Sequence, residues 1–428
     1  MRGLRDRLIA LLRWSEKYTK TDMVYLAVSG WWTNLNVIFI TGLSFLLSIA
    51  FANLVPKEVY GVYQYLLSIS TILGTLTMTG MNYAVTQAVA RGHEGVLRSS
   101  VRLQIKWGAI PFVIGIGASA YYGLNGNLEI AGGLAIISIF MPLFNAWNTY
   151  AAYLNGKHEY RQYFVTNAIT NAAYFIGIMV ALLFVKTAIA LLLANLAVNT
   201  IVTFAMYIHT LRRYAPPDVD DPDALHFGGH LSLTNIFATF AAQLDNILIF
   251  HFLGAAPLAV YNFACAIPER IGGLFKFLVF AGIPKFSTQS KDELQRSLFS
   301  KTWRAMFAGL IVAGIYSLFA PVLFHLFFPK YLDSLPLSQI YSLIIVAAAG
   351  SIPITAIIAQ KLKRELYILR TIGPIVHITL QVSLLFLYGL IGILVGRLLS
   401  NFFDIALSLV LFLASKEDAP QPEGGEIE

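Results

Sequence analysis

The sequence predicts an all-α polytopic membrane protein with about twelve transmembrane helices, arranged as two parallel six-helix lobes with both termini in the cytoplasm. Composition is the first observation behind this fold class. Of the 428 residues, 57% are hydrophobic and only 12% are charged, and a water-soluble monomer does not tolerate the exposed apolar surface that this ratio implies. The net charge of +7 is spread over separate loops, which indicates contact with membrane lipids and no nucleic-acid partner.

The second observation is a series of apolar stretches of about 20 residues, the length that crosses a bilayer. They run over residues 31–53, 66–90, 107–123, 131–154, 163–185, 187–209, 231–253, 261–283, 305–328, 337–359, 368–388 and 390–414. Threading them alternately across a membrane places 24 of the 30 Lys and Arg residues on the side of the N-terminus. Because basic loops are retained in the cytoplasm, both termini are predicted to be cytoplasmic.

The third observation is a set of short echoes that occur in the same order in the two halves of the chain. Their offsets stay between 201 and 206 residues, which indicates a tandem duplication. The echoes include Val59-Tyr60 with Val260-Tyr261, Thr86-Gln87 with Thr288-Gln289, and Lys157-x-Glu159 with Lys363-x-Glu365. Six spans per repeat keep both halves in one orientation, a plan typical of transporters with alternating access.

These observations divide the chain into five segments. Residues 1–22 combine leucines at helical spacing with arginines, which predicts a basic amphipathic helix on the cytoplasmic surface. Residues 23–209 form the predicted N-terminal lobe, 210–230 a cytoplasmic linker with three prolines, and 231–414 the C-terminal lobe. Residues 415–428 are acidic and poor in apolar side chains, which predicts a disordered tail.

Two segments at equivalent places in the repeat carry a family resemblance. "FANLVPKEVYGVYQY" follows the first apolar stretch, and "LDNILIFHFLGAAPLAVYNFACAIPERI" lies near the start of the second half. Both resemble the polysaccharide-transport branch of the multidrug/oligosaccharidyl-lipid/polysaccharide exporter superfamily, and the members most like this chain are O-antigen-type flippases. The resemblance implies a non-enzymatic protein of the cytoplasmic membrane that moves a polyprenyl-pyrophosphate-linked oligosaccharide. It also implies polysaccharide assembly proteins as partners.

Charged residues well inside the apolar stretches, away from their ends, mark the first candidate site. All six belong to the second half: Asp245, Glu269, Arg270, Lys276, Arg397 and Asp404. Each costs about 2.5–3.5 kcal/mol in a bilayer, so they are expected to face an interior or one another. The functional interpretation assigns Arg270, Arg397 and Lys276 to a pyrophosphate or anionic sugar, and Asp245, or failing that Glu269, to ion coupling. The alternative is a set of buried pairs that fix helix packing.

Polar side chains of the first half form the second candidate site. Amides both donate and accept hydrogen bonds, and an indole packs on the apolar face of a sugar. The predicted sugar-binding residues are Asn145, Trp147, Asn148, Asn167, Asn171 and Asn195. Hydrogen bonding between helices is the alternative interpretation of these amides.

Two apparent metal motifs in the linker carry little weight. They are the acidic pairs of residues 218–223 and the i, i+4 pair His226 and His230, and about 20 residues are too few to fold a catalytic domain. The sequence contains no P-loop, G-x-S-x-G or H-E-x-x-H pattern, so we expect no enzyme and no cofactor. The main alternative function is a proton- or sodium-coupled exporter of drugs or metabolites from the same superfamily.

Overall fold

The computed structural model describes residues 23–217, 221–280 and 282–415, and no strand occurs among them. The first half contains α1 (Met23–Leu54), α2 (Lys57–Thr75), α3 (Met81–Ala90), α4 (Val96–Trp107), α5 (Ala109–Leu124), α6 (Leu128–Gly156), α7 (Tyr160–Phe184) and α8 (Ala188–Tyr214). The second half contains α9 (Pro222–Leu253), α10 (Ala255–Phe280), α11 (Ile283–Thr288), α12 (Lys291–Phe327), a 3-10 helix (Pro329–Ser334), α13 (Leu335–Tyr341), α14 (Ile344–Ala349), α15 (Ile352–Ala359) and α16 (Lys363–Ala414). The predicted amphipathic helix of residues 1–22 and almost all of the predicted tail lie outside the described residues.

Nine helices or groups of helices in the described ranges are long and apolar enough to cross a membrane. The chain is therefore a multi-pass α-helical membrane protein, as predicted. One of the nine, α16, is 52 residues long, far more than the roughly 20 residues that one crossing needs. Gly389 interrupts it with φ 60° and ψ −134°, between the predicted stretches 368–388 and 390–414. The number twelve and the cytoplasmic termini stay predictions.

The chain divides into two compact units, the first ending at Gln243 and the second beginning at Leu244. This division falls within α9. The first residue of α9, Pro222, lies inside the segment 210–230 predicted to be a linker. Proline is favoured in the first turn of a helix because the missing N–H has no partner there. Gly228 and Gly229 also lie within α9, where the lack of a side chain permits close helix packing.

Helix positions repeat at the offset of the sequence echoes. A shift of 202 residues moves the first residue of α3, Met81, onto Ile283, the first residue of α11. A shift of 206 moves the start of α8, Ala188, onto Leu394 in the part of α16 after Gly389. Superposition of the two halves stays a prediction.

The core of the first unit lies around α6, which packs against α3, α4, α5 and α8. Tyr150 and Tyr153 of this helix are fully buried, together with Met81 and Val85 of α3. In the second unit, α10 packs against α13 and α14, and its Phe263 ring lies 4.0 Å from the ring of Tyr331, centroid to centroid. Aromatic contacts of this kind contribute about 0.5–1.5 kcal/mol beyond the buried area.

Candidate functional site

Three of the six predicted intramembrane charges meet in the second unit. The Arg397 guanidinium of α16 donates from Nη1 to Asp245 Oδ2 of α9 at 2.6 Å, and from Nη2 to Glu269 Oε1 of α10, also at 2.6 Å. The hairpin between α9 and α10 explains part of this meeting. Asp245 lies nine residues before Gly254, which turns the chain at φ 97°, and Glu269 lies further along the returning helix. Arg397 follows Gly389 by eight residues, or about 12 Å of helix.

Two tyrosines complete the hydrogen-bond network. Tyr261 Oη donates to Asp245 Oδ2 at 2.5 Å and accepts from Arg397 Nη1 at 2.9 Å. Tyr341 Oη donates to Glu269 Oε1 at 3.0 Å, and its ring centre lies 5.6 Å from the guanidinium carbon of Arg397. A guanidinium offers five N–H donors, so this network leaves some of them available to a ligand.

The two carboxylates have different environments. The Asp245 side chain is 3% exposed, whereas the Glu269 side chain is 41% exposed. Because a buried charge without a partner is far more costly than an exposed one, Asp245 depends on Arg397 much more than Glu269 does. The buried pair therefore fixes the arginine, and the exposed carboxylate can exchange partners.

A cavity of about 250 Å³ opens beside this network. Its polar lining consists of Glu269, Lys276, Tyr341, Arg397 and Asn401. Two carboxylates and one guanidinium leave the network with one formal negative charge, and the Lys276 ammonium on the cavity wall balances it. Within the described residues, no carboxylate lies at ion-pair distance from Lys276. The cavity thus presents a cation that an anionic ligand can reach.

The other two predicted charges, Arg270 and Asp404, do not line the cavity. Arg270 is half-buried and is not one of the residues that line the cavity. Asp404 is half-buried, and its Oδ1 has no hydrogen-bond partner among the described residues. Pro268 does not break α10, which is continuous from Ala255 to Phe280. Membrane helices tolerate proline when neighbouring groups satisfy the freed carbonyl.

Two predicted sugar-binding amides of the first unit hold helices together. Asn145 Nδ2 donates to the Gly74 carbonyl at 3.0 Å and to Thr77 Oγ1 at 2.8 Å, at the end of α2. Asn195 Nδ2 donates to the hydroxyl of buried Tyr63 at 2.8 Å. These contacts are those of the packing alternative, and a sugar-binding role for either residue stays a prediction.

The remaining first-unit candidates make local contacts. Asn167 Nδ2 donates to the Tyr163 carbonyl at 2.9 Å, and Asn171 Nδ2 donates to the Asn167 carbonyl at 2.8 Å, both one turn back along α7. The Trp147 ring packs 4.5 Å from the Phe204 ring, centroid to centroid. Asn148 is half-buried. These residues all belong to the first unit, whereas the charged network belongs to the second.

The sequence interpretation missed Tyr261 and Tyr341. Tyr261 carried a usable signal, because Val260-Tyr261 is the echo of Val59-Tyr60 in the first half. Tyr341 carried none, because one tyrosine in an apolar stretch has many packing roles.

The linker motifs have structural partners. Asp221 Oδ1 accepts from the Ala224 backbone N–H at 3.0 Å, and Oδ2 lies 2.6 Å from His93 Nδ1. The hydrogen bond from His93 lowers the pKa of Asp221 below its usual value. No group of three or more metal-ligating side chains occurs in the part of the chain that the structure describes, and Asp218 and Asp220 lie outside that part.

Solved transporters share this fold at low sequence identity. An inward-facing multidrug resistance MATE family transporter of the MOP superfamily matches with a TM-score of 0.63 and 15% identity, over 87% of this chain and 93% of that chain. The lipid II flippase MurJ in an inward closed conformation matches with a TM-score of 0.57 and 15% identity, over 88% and 86%. A MOP superfamily transporter from Pyrococcus furiosus matches with a TM-score of 0.56 and 15% identity, over 89% and 94%.

These matches establish a two-lobed fold like that of MATE transporters and MurJ. Comparison with curated proteins returns no matching sequence. The family model described as polysaccharide biosynthesis protein matches residues 27–269, more than half of the 428 residues. The chain therefore belongs to the polysaccharide biosynthesis protein family.

Proposed function

We propose that this protein moves a polyprenyl-pyrophosphate-linked oligosaccharide across the cytoplasmic membrane by alternating access, during the biosynthesis of a surface polysaccharide. The observation that carries the proposal is the cavity lined by Lys276 and Arg397, two residues of the apolar stretches predicted to span the membrane. Family membership supports a role in polysaccharide biosynthesis, and the fold is one that transporters and a lipid II flippase use.

Lys276 is the first residue that we assign to the pyrophosphate. Its ammonium lines the cavity, whereas Arg397 is held by two carboxylates. An anion that enters the cavity gains a charge-assisted hydrogen bond from Lys276 without breaking an ion pair. Asn401 Nδ2 already donates to the Arg397 carbonyl at 2.8 Å, so its amide oxygen is the group that can accept from a sugar hydroxyl.

Glu269 is the carboxylate that we assign to ion coupling. Its 41% exposure lets a proton or sodium ion reach it from the cavity, which the burial of Asp245 opposes. Neutralising Glu269 would remove one of the two anions that hold Arg397 and would free Nη2 to donate to a phosphate oxygen. Cation entry and substrate binding would then be linked through one arginine.

The test measures translocation of a fluorescent polyprenyl-pyrophosphate disaccharide in proteoliposomes, with and without an imposed proton or sodium gradient. Lys276→Met is expected to lower the initial rate about tenfold or more, because a hydrogen bond to a charged group contributes about 1.5–3 kcal/mol. Lys186→Met is the matched control, because Lys186 is exposed between α7 and α8. Equal rates for both variants would contradict the pyrophosphate assignment.

Glu269→Gln tests the coupling assignment separately. We expect this variant to translocate at a rate that no longer depends on the gradient, whereas the parent protein responds to it. An unchanged response would exclude Glu269 as the coupling group. Transport of a lipophilic cation such as ethidium without movement of the lipid-linked disaccharide would favour the drug-exporter alternative.

A further inference from the structure

The first unit contains an apolar groove that the proposed function does not use. Its volume is about 420 Å³, within the range of ligand sites. Three parts of the chain form its wall: the segment that joins α2 to α3, the junction of α4 with α5, and the first half of α9. The lining includes Trp107, Ile110, His226, His230, Leu233 and Ile236.

The groove exists because the chain between α2 and α3 is not a regular helix. Met78 has a φ of 62°, a left-handed conformation that interrupts the α2–α3 direction. The Gly80 backbone N–H then donates to Ser232 Oγ of α9 at 3.0 Å. This bond holds α9 against the irregular segment, and the groove lies next to this contact.

The position of the groove relative to the bilayer follows from the length of α9. This helix has 32 residues and is about 48 Å long, which exceeds the roughly 30 Å hydrocarbon layer by about 18 Å, or some 12 residues. Gly254 turns the chain directly after its C-terminal end. If that end lies at the outer boundary of the hydrocarbon, His226 and His230 lie among the headgroups, and Leu233 and Ile236 lie at the depth of the lipid chains.

The mouth of the groove suits an anionic headgroup. His226 and His230 are exposed, and their ring centroids are 4.4 Å apart. An imidazole offers an N–H donor to a phosphate oxygen in either protonation state. The exposed ammonium of Lys106 directly precedes Trp107 of the lining, and a lysine near a membrane surface attracts anionic lipids by about 1 kcal/mol. Asp223 is the neighbouring acid on α9, and Asp221 is already bound to His93.

We propose that this groove is a binding site for an anionic phospholipid, with one acyl chain along Ile110, Leu233 and Ile236 and the phosphate at His226 and His230. Ile110, Leu233 and Ile236 belong to helices that are candidate membrane spans, so a lipid chain reaches this part of the wall from the bilayer. The two imidazoles precede Leu233 and Ile236 along α9, and the hydroxyls of Thr75 and Ser232 already donate to backbone carbonyls of their own helices. This order of polar and apolar groups matches the polarity of a phospholipid. This site is independent of the proposed translocation.

The experiment uses the full-length protein in nanodiscs with phosphatidylglycerol that carries a diazirine on one acyl chain. We expect photolabelling of peptides containing Trp107, Ile110 and residues 225–236, located by mass spectrometry. Leu233→Trp fills the groove and should lower that labelling about tenfold, equivalent to about 1.4 kcal/mol of binding. Leu233 is 61% exposed, so the larger ring does not disturb the core, and Ile110→Trp is the second variant.

Matched controls separate this site from general lipid contact. Leu183→Trp, at an apolar residue of α7 that is 69% exposed and outside the groove, should leave the labelling unchanged. Replacing both His226 and His230 with glutamine should abolish the preference for phosphatidylglycerol over phosphatidylcholine, whereas His251→Gln near the other end of α9 should not. Unchanged labelling in both groove-filling variants would overturn the proposal. So would displacement of the label by equimolar polyprenyl phosphate, which would assign the groove to the carrier chain of the substrate.

Discussion

The unequal burial of Asp245 and Glu269 predicts that Arg397 is coupled strongly to the first carboxylate and weakly to the second. The perturbation is a pair of double-mutant cycles, one with Asp245→Asn and Arg397→Met, the other with Glu269→Gln and Arg397→Met. Both ion pairs are 2.6 Å long, so distance alone predicts equal coupling. The difference in burial of the two carboxylates predicts unequal coupling energies.

The magnitudes follow from the exposure of each carboxylate. Asp245 is 3% exposed, and removal of one partner from a buried pair costs about 3–5 kcal/mol. Glu269 is 41% exposed, so solvent screening reduces its coupling to about 1 kcal/mol or less. We therefore expect the Asp245–Arg397 coupling energy to exceed the Glu269–Arg397 coupling energy by about 2 kcal/mol or more.

The assay is unfolding of the purified protein in detergent micelles, titrated with dodecyl sulfate and followed by tryptophan fluorescence. Each cycle compares the unfolding free energies of the parent, the two single variants and the double variant. Equal coupling energies in the two cycles, or a larger energy for Glu269, would refute the argument that burial sets the role of each carboxylate.

Three further outcomes follow from individual contacts. Tyr261→Phe removes a hydroxyl that bridges the buried carboxylate and guanidinium, so the unfolding free energy should fall by about 1–3 kcal/mol; an unchanged value would mean that the bridge does not form. Gln381 is fully buried, and neither amide atom has a hydrogen-bond partner among residues that the structure describes, so Gln381→Leu should raise thermal stability; a loss of stability would contradict this. Burial raises the pKa of Glu94, but hydrogen bonds from Lys157 and Tyr153 outweigh it and lower the pKa below the ordinary 4.5. Stability from that carboxylate is therefore complete above pH 4.5 and is lost as the pH falls through the lower folded value. Glu94→Gln should flatten the acid side of the melting temperature profile, and an equally steep profile would count against the assigned contacts.

Sequence periodicity determined the membrane class of this protein. Apolar stretches of bilayer length are a property of consecutive residues, so no tertiary information is needed to find them. The ordered echoes predict a repeat, and their spacing of 202 residues also separates the first residues of α3 and α11. The energetic cost of charge in a bilayer also selected Asp245, Glu269 and Arg397 as residues that must find partners.

Only the tertiary structure decided which of these residues meet and which stand exposed. Gly254 turns the chain between the helices that carry Asp245 and Glu269, and helix packing made Arg397 a partner of both acids. The sequence ranked Asp245 first for ion coupling, because depth in a span does not reveal which side of a helix faces a cavity. Burial of Asp245 and exposure of Glu269 reverse that order in our proposal, since solvent access is a property of the packed helices and not of the chain.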